Sequence, residues 1–205
     1  ITLNGTTTAN AVINANTTNA AISGGTVDVI QKGSITNLGT NGLSIGTLAS
    51  SDTGEVTNRV LELDNGGNAL TVTDLNIASG KLLEIQAASG EQGKIAVAAA
   101  NASTEGNYST GSGTLQLDAG VALTVTGNSS ETQYLGAETI SLKGKTADAA
   151  AGGVASVTYV NGTFSNAGIQ VIADGFNTYG KLTVGDNTNG AATLKDTTIT
   201  VEPDA

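Results

Sequence analysis

The chain has 205 residues, eight Lys plus Arg against eighteen Asp plus Glu, a net charge of −10 and a pI near 4.1. It contains no His, Cys, Met or Trp. That composition removes the His and Cys that supply many nucleophiles, proton shuttles and soft metal ligands, and the acidic balance argues against the clustered basic surface that nucleic acid or an anionic membrane would need. Apolar residues make up 39% but aromatics only 3%, so the core must be built from Val, Ile, Leu and Ala, small regular side chains that suit a thin stacked interior.

The first segment, residues 1–22, alternates weakly and carries no charged side chain. It reads as a first rung or as an extended strand that completes a neighbouring copy, with Ile1, Leu3, Val12 and Ile13 as the expected assembly contacts. The opening Ile1-Thr2-Leu3-Asn4 has neither the basic region nor the apolar run of a leader, so a mature or trimmed segment is expected, and no stretch approaches a membrane-spanning helix. Residues 23–205 read as one repetitive β domain.

Along that domain glycine repeatedly precedes a short strand-like run, as in Gly25 before Thr26 to Ile30, Gly80 before Lys81 to Ile85, Gly113 before Thr114 to Leu117, and Gly180 before Lys181 to Val184. Further strands are expected at Ala69 to Leu75, Lys94 to Ala98, Ala122 to Thr126, Thr139 to Leu142, Val154 to Val160, Gly168 to Ile172 and Thr197 to Glu202. Helix signals are nearly missing. The steps Gly24-Gly25, Asn41-Gly42, Asn161-Gly162 and Asn189-Gly190 supply the positive φ that tight turns require.

One cassette occurs twice: Leu61-Glu62-Leu63-Asp64 through Leu70-Thr71-Val72-Thr73, and Leu115-Gln116-Leu117-Asp118 through Leu123-Thr124-Val125-Thr126. Repetition of strand, Asp-containing turn and strand predicts an all-β fold, with a β-solenoid favoured and a Greek-key β-sandwich as the alternative. Leu63 and Leu117 are 54 residues apart, which suits three rungs of roughly 18 residues.

These cassettes, above all Gly113 to Val125 with echoes at Val60 to Thr73 and Lys181 to Leu194, resemble passenger regions of bacterial autotransporters, filamentous-haemagglutinin-like exoproteins and related surface-array proteins. The resemblance covers about a third of the chain. It implies export to the cell surface, a β-helical stalk or coat, and adhesion or surface coverage.

Without histidine, a Ser or Thr nucleophile would need a lysine base or an N-terminal amine, and no Ser-x-x-Lys motif is present. Paired carboxylates are the remaining route to catalysis. Glu62, Asp64, Glu84 and Asp118 are the candidates for the acid and base of glycoside cleavage, set against the ordinary reading of solvated strand and turn acids. No cofactor is required by this reading.

Calcium, which prefers oxygen ligands, is the one metal the turns invite. Asp64, Asn65 and Asn68 form one candidate group and Asp186, Asn187 and Asn189 another, although the same letters also make Asx turns. The expectation is a noncatalytic, secreted structural protein that self-associates through β edges. An adhesin segment with a glycan or host-surface ligand and a polysaccharide-active β-helical enzyme are the alternatives.

Overall fold

The computed structural model describes residues 1–15, 20–64, 68–89, 91–98, 113–127, 132–133, 135–144, 153–165, 168–174 and 178–202. The chain opens with β1 (Thr2–Leu3) and β2 (Ala11–Asn14), followed by β3 (Ala20–Val29) and β4 (Lys32–Thr36). A four-residue helix α1 (Leu38–Asn41) turns one corner before β5 (Leu43–Ser50) and β6 (Asn58–Leu63). Then come β7 (Leu70–Ile77), β8 (Leu82–Ala87), β9 (Gly93–Ala98), β10 (Thr114–Leu117), β11 (Val121–Thr126), β12 (Thr132–Gln133) and β13 (Thr139–Lys143). The last coils hold β14 (Ser156–Val160), β15 (Gly162–Phe164), β16 (Gly168–Asp174), β17 (Thr178–Tyr179), β18 (Lys181–Val184), β19 (Ala192–Leu194) and β20 (Thr198–Glu202).

Successive strands are dealt to opposite sheets. The first sheet stacks β1, β3, β5, β7, β9, β11, β14 and β18; the second stacks β2, β4, β6, β8, β10, β13 and β16, with β20 paired beyond β16. A short third sheet holds β12, β15 and β19. Neighbours within all three pair parallel; the two-residue contact of β16 with β17 is antiparallel. Parallel neighbours joined by a trip through the opposite sheet make a coil, so the fold is a β-solenoid. The Greek-key sandwich is set aside, because its sheets are antiparallel.

The alternation of each strand explains the core. Along the second sheet the inward column Leu61, Ile85, Leu117, Leu142 and Val171 continues to Val201. Across the interior the first sheet contributes Leu43, Leu70, Ile95, Leu123 and Val157, continued by Leu182. Leu61, Ile85, Leu117, Leu142, Leu70 and Val157 are completely or almost completely shielded from solvent, and each such side chain contributes roughly 1.5–3 kcal/mol relative to an exposed one. Tyr159 and Phe164, both buried, pack at a tilt of 51° with ring centroids 5.0 Å apart.

The rung is longer than the expected 18 residues. The column steps from Ala11 to Gly33 and Leu61, then Ile85, Leu117, Leu142, Val171 and Val201, so successive coils along it take between 22 and 32 residues. The two cassettes are therefore two rungs apart. Their second strands stack as their letters align, Leu70 through Ile95 to Leu123, but their first strands are offset by two residues, with Leu61 rather than Leu63 in the column of Leu117.

Gly42 and Gly190 take positive φ at turns, and Asn161 and Asn37 adopt the left-handed region themselves; Gly24 also has positive φ, but inside β3, so the step Gly24-Gly25 is an irregularity within a strand and not the expected turn. At Gly24-Gly25 the register of β3 against β5 shifts between Ile22 and Thr26. A Cβ on Gly46, in the strand beside it, would lie 2.8 Å from backbone atoms of Gly24 and Gly25, so paired glycines let the two strands bend together.

Candidate functional site

On the outer face of the second sheet, polar side chains line up on consecutive rungs. Ser34, Glu62 and Gln86 are register partners, as are Glu84, Gln116 and Ser141. Asp118 follows β10 directly, its backbone N–H donating to Ile85 O at 3.0 Å. Lys143 at the end of β13 places Nζ 3.1 Å from Asp118 Oδ1 and 3.9 Å from Glu84 Oε1. Gln86 Nε2 donates to Glu84 Oε1 at 2.7 Å, and Gln116 Nε2 donates to Asp118 Oδ1 at 3.3 Å.

Both carboxyls thus face the same Lys143 ammonium, and each perturbs the other's affinity for a proton. Burial, then hydrogen bonding with Glu84 and its charge, push Asp118 up to about 6, while Lys143 acts the other way. Burial alone would also raise Glu84, but hydrogen bonds from Asp118 and Gln86 and the charge of Lys143 hold it below its ordinary value. The pair thus keeps a single proton on Asp118 over a pH range where an isolated aspartate has lost it.

Of the four candidate acids the coil brings Glu84 and Asp118 together. Glu62 sits opposite Gln86, and Asp64 lies past the end of β6. Glycosidases hold their two carboxyls about 5 Å or about 6.5–9.5 Å apart to accommodate sugar carbon or water. Here each carboxyl is already engaged by Lys143 and by a neighbouring glutamine, an arrangement suited to charge balance on the sheet surface.

The calcium candidates are dispersed. Asp64 begins one corner, Asn65 lies outside the described residues, and Asn68 is exposed just before β7. The second group forms a closed turn: Asp186 Oδ1 accepts from the backbone N–H groups of Thr188 (2.8 Å) and Asn189, and Oδ2 accepts from Asn189 Nδ2 at 2.7 Å. Asn187 is exposed at the tip. Those bonds, led by the one from the Asn189 side chain, hold the Asp186 carboxyl below its usual range. Both oxygens thus have donors within an Asx turn. Among the described residues no three His, Cys, Asp or Glu side chains gather into a metal-holding group, and no helix is long and apolar enough to cross a membrane.

The expected assembly contacts divide. Ile1 and Val12 are 60% and 58% exposed, Ile13 is half-buried, and Leu3 is inside the core. The strand pairings make β1 and β2 part of the two long sheets. At the other end of the stack Tyr179, Val184, Ile199 and Val201 are exposed. Their signal in the sequence is the alternation of Thr198 to Glu202, which puts Ile199 and Val201 on the inward side of a strand with no described strand stacked beyond it.

The single arginine of the chain has a structural role that its sequence context does not signal. Arg59 is completely buried in the inward position of β6. Its guanidinium donates to the carbonyls of Val56 (3.0 Å), Val29 (3.2 Å), Thr53 (2.7 Å) and Ser51, and to Ser50 Oγ at 3.1 Å. Burial draws its pKa down while Asp28 and Asp52 draw it up. It fastens the loop over residues 51–57 to the core.

No family model, no curated protein and no solved structure matches this chain.

Proposed function

We propose that the protein is a noncatalytic extracellular structural element, a rod-like stalk or coat component that builds or decorates a bacterial surface. The observation carrying this reading is the continuous apolar interior: inward columns run through both long sheets from coil to coil. A stack of this kind sets length and spacing, each coil supported by its neighbours. The acidic surface favours solubility, and the resemblance of the cassettes to exported surface proteins supplies the location.

Small-angle scattering tests the rod, and antibody labelling of intact producing cells tests the location. A rod of constant cross-section detected outside the cell is the expected result. A protein that remains inside the cell, or one that cleaves acidic polysaccharide and loses that activity in both Glu84→Gln and Asp118→Asn, would overturn it.

A further inference from the structure

One amine and two carboxyls converge on the outer face of the second sheet. Lys143 Nζ lies 3.1 Å from Asp118 Oδ1 and 3.9 Å from Glu84 Oε1, so a single nitrogen reaches acids on two other rungs. The three come from the neighbouring strands β8, β10 and β13: Glu84 within the first, Asp118 directly after the second, Lys143 at the end of the third. Leu117 and Leu142, the residues before Asp118 and Lys143, are register partners and wholly buried, so two packed strands hold the amine against the acid.

Glutamines on the same face fix the carboxyls. Gln116 Nε2 donates to Asp118 Oδ1, the oxygen that Lys143 also touches, and Gln86 Nε2 donates to Glu84 Oε1. Both of those donors to Asp118 lie at one oxygen, which leaves Oδ2 to carry its proton. Only 23% of the Asp118 side chain, 19% of Glu84 and 37% of Lys143 are exposed. Burial and then Glu84 raise Asp118 to about 6, whereas Glu84, against the effect of its own burial, is held below its ordinary value by Asp118, Gln86 and Lys143. Between those values a neutral acid stands beside a carboxylate. An amine can attack the carbon of the first, and the second can take a proton from an ammonium.

We propose that Lys143 and Asp118 condense into an amide, an intramolecular isopeptide bond that ties the rung of β10 to the rung of β13, with Glu84 as the proton carrier. The Glu84 carboxylate takes a proton from the Lys143 ammonium, and the freed Nζ lone pair forms a C–N bond to Asp118 Cγ. The amide of Gln116 steadies the negative charge that develops on Oδ1. Glu84 then gives its proton to the Oδ2 hydroxyl, which leaves as water when the C–O bond breaks, and takes the second proton from nitrogen, to be released to solvent. Nothing is oxidised or reduced, and the event happens once per chain, without a substrate. Groups held in contact react as if at a concentration of roughly 10⁵ M or more, which offsets the cost of neutralising the ion pair. The bond closes a covalent ring through residues 118–143, and it does not depend on the location or structural role proposed above.

Intact-mass spectrometry reads the condensation directly, as the loss of the mass of one water. Wild-type protein is moved from about pH 8 to about pH 5.5, below the Asp118 value of about 6, and followed over days. Because an aspartate can also lose water by closing on its own backbone, the product is unfolded and digested after glutamate. Cleavage at Glu131 and Glu138 severs the chain between the two residues, so a linked protein leaves the Asp118 and Lys143 fragments joined as one branched peptide.

The expected result is a lighter species that yields the branched peptide, forms roughly tenfold or more slowly near pH 8, where the carboxyl pair has lost its shared proton, and is missing from Lys143→Met, Asp118→Ala and Glu84→Gln while their circular dichroism spectra stay β-rich. Full mass at both pH values, a lighter species that persists in Lys143→Met, or linkage in Glu84→Gln at the wild-type rate would overturn the inference. The first two outcomes leave an ion pair only, and neither bears on whether the chain forms a rod outside the cell.

Discussion

Arg59 pairs in register with Leu83, so the one arginine of the chain occupies a column otherwise made of Leu83, Leu115, Ile140, Ile169 and Ile199. A charge is tolerated there because backbone carbonyls and one hydroxyl surround it. Hydrogen bonds to charged groups are stronger than neutral ones, and stranding their buried partners is costly.

Arg59→Ala should therefore destabilise the protein by about 3 kcal/mol or more and expose residues 51–57 to proteolysis before the rest of the coil. Arg59→Lys, with a compact ammonium in place of the fork, should fall between wild type and alanine. Urea denaturation with limited proteolysis checks both. A loss in Arg59→Ala below about 0.5 kcal/mol, the range of ordinary surface changes, would refute the fastening role.

The Glu84–Asp118 pair predicts a pH dependence with a definite sign. Asp118 binds its proton more tightly folded, near 6, than unfolded, near the ordinary aspartate value of about 3.9. Its contribution is fully present below about pH 4 and lost as the pH rises through about 6, a change of at most about 3 kcal/mol. Glu84 works oppositely: its depressed value stabilises above the ordinary glutamate range and is lost as the pH falls through the folded value. The expected net result is a decline in denaturation midpoint between about pH 4.5 and 6.5, flattened in Asp118→Asn. In NMR titrations Glu84→Gln should return Asp118 toward ordinary values and Lys143→Met should raise it further.

Position along one column should decide the cost of truncation. Leu117→Ala opens a cavity in the sealed middle of the stack and should cost about 2–5 kcal/mol. Val201→Ala removes a side chain that is 61% exposed in the isolated chain and should cost less than about 1 kcal/mol there. Thermal melts at low concentration measure both, and equal losses would contradict the columnar core.

Two glycines separate crowding from backbone strain. A Cβ on Gly113 would lie 2.7 Å from Lys81 O and closer still to Ala78 O, so Gly113→Ala must push two rungs apart. Gly54 has φ of +81° but nothing within 4 Å, so Gly54→Ala meets only the left-handed penalty, about 1–2 kcal/mol. Gly113→Ala should be the more destabilised of the two in chemical denaturation.

Strands rich in β-branched residues and introduced by glycine were readable from their letters. The expected runs Thr114 to Leu117 and Lys181 to Val184 coincide with β10 and β18. Lys32–Thr36 and Leu43–Ser50 escaped, because Gly33 and Gly46 interrupt the alternation and Leu-Ala-Ser closes the second run without a turn residue. Rung length was hidden for another reason: outward loops such as residues 51–57 add length without altering the inward pattern. Glu84 and Asp118 were recognisable as separate acids, but their meeting depends on the number of residues in the intervening coil, and Lys143 enters from one coil further. Arg59 resembles an exposed strand residue until the register places Leu83 beside it.

The backbone hydrogen bonds of the two long sheets run along the axis of the stack. Tension applied across a coil, within the plane of its strands, must shear several of those bonds together, whereas tension along the axis meets them one rung at a time. A stack of this construction yields to lengthwise pulling by peeling successive coils and lengthens stepwise, with each increment set by the 22 to 32 residues that its coil contains.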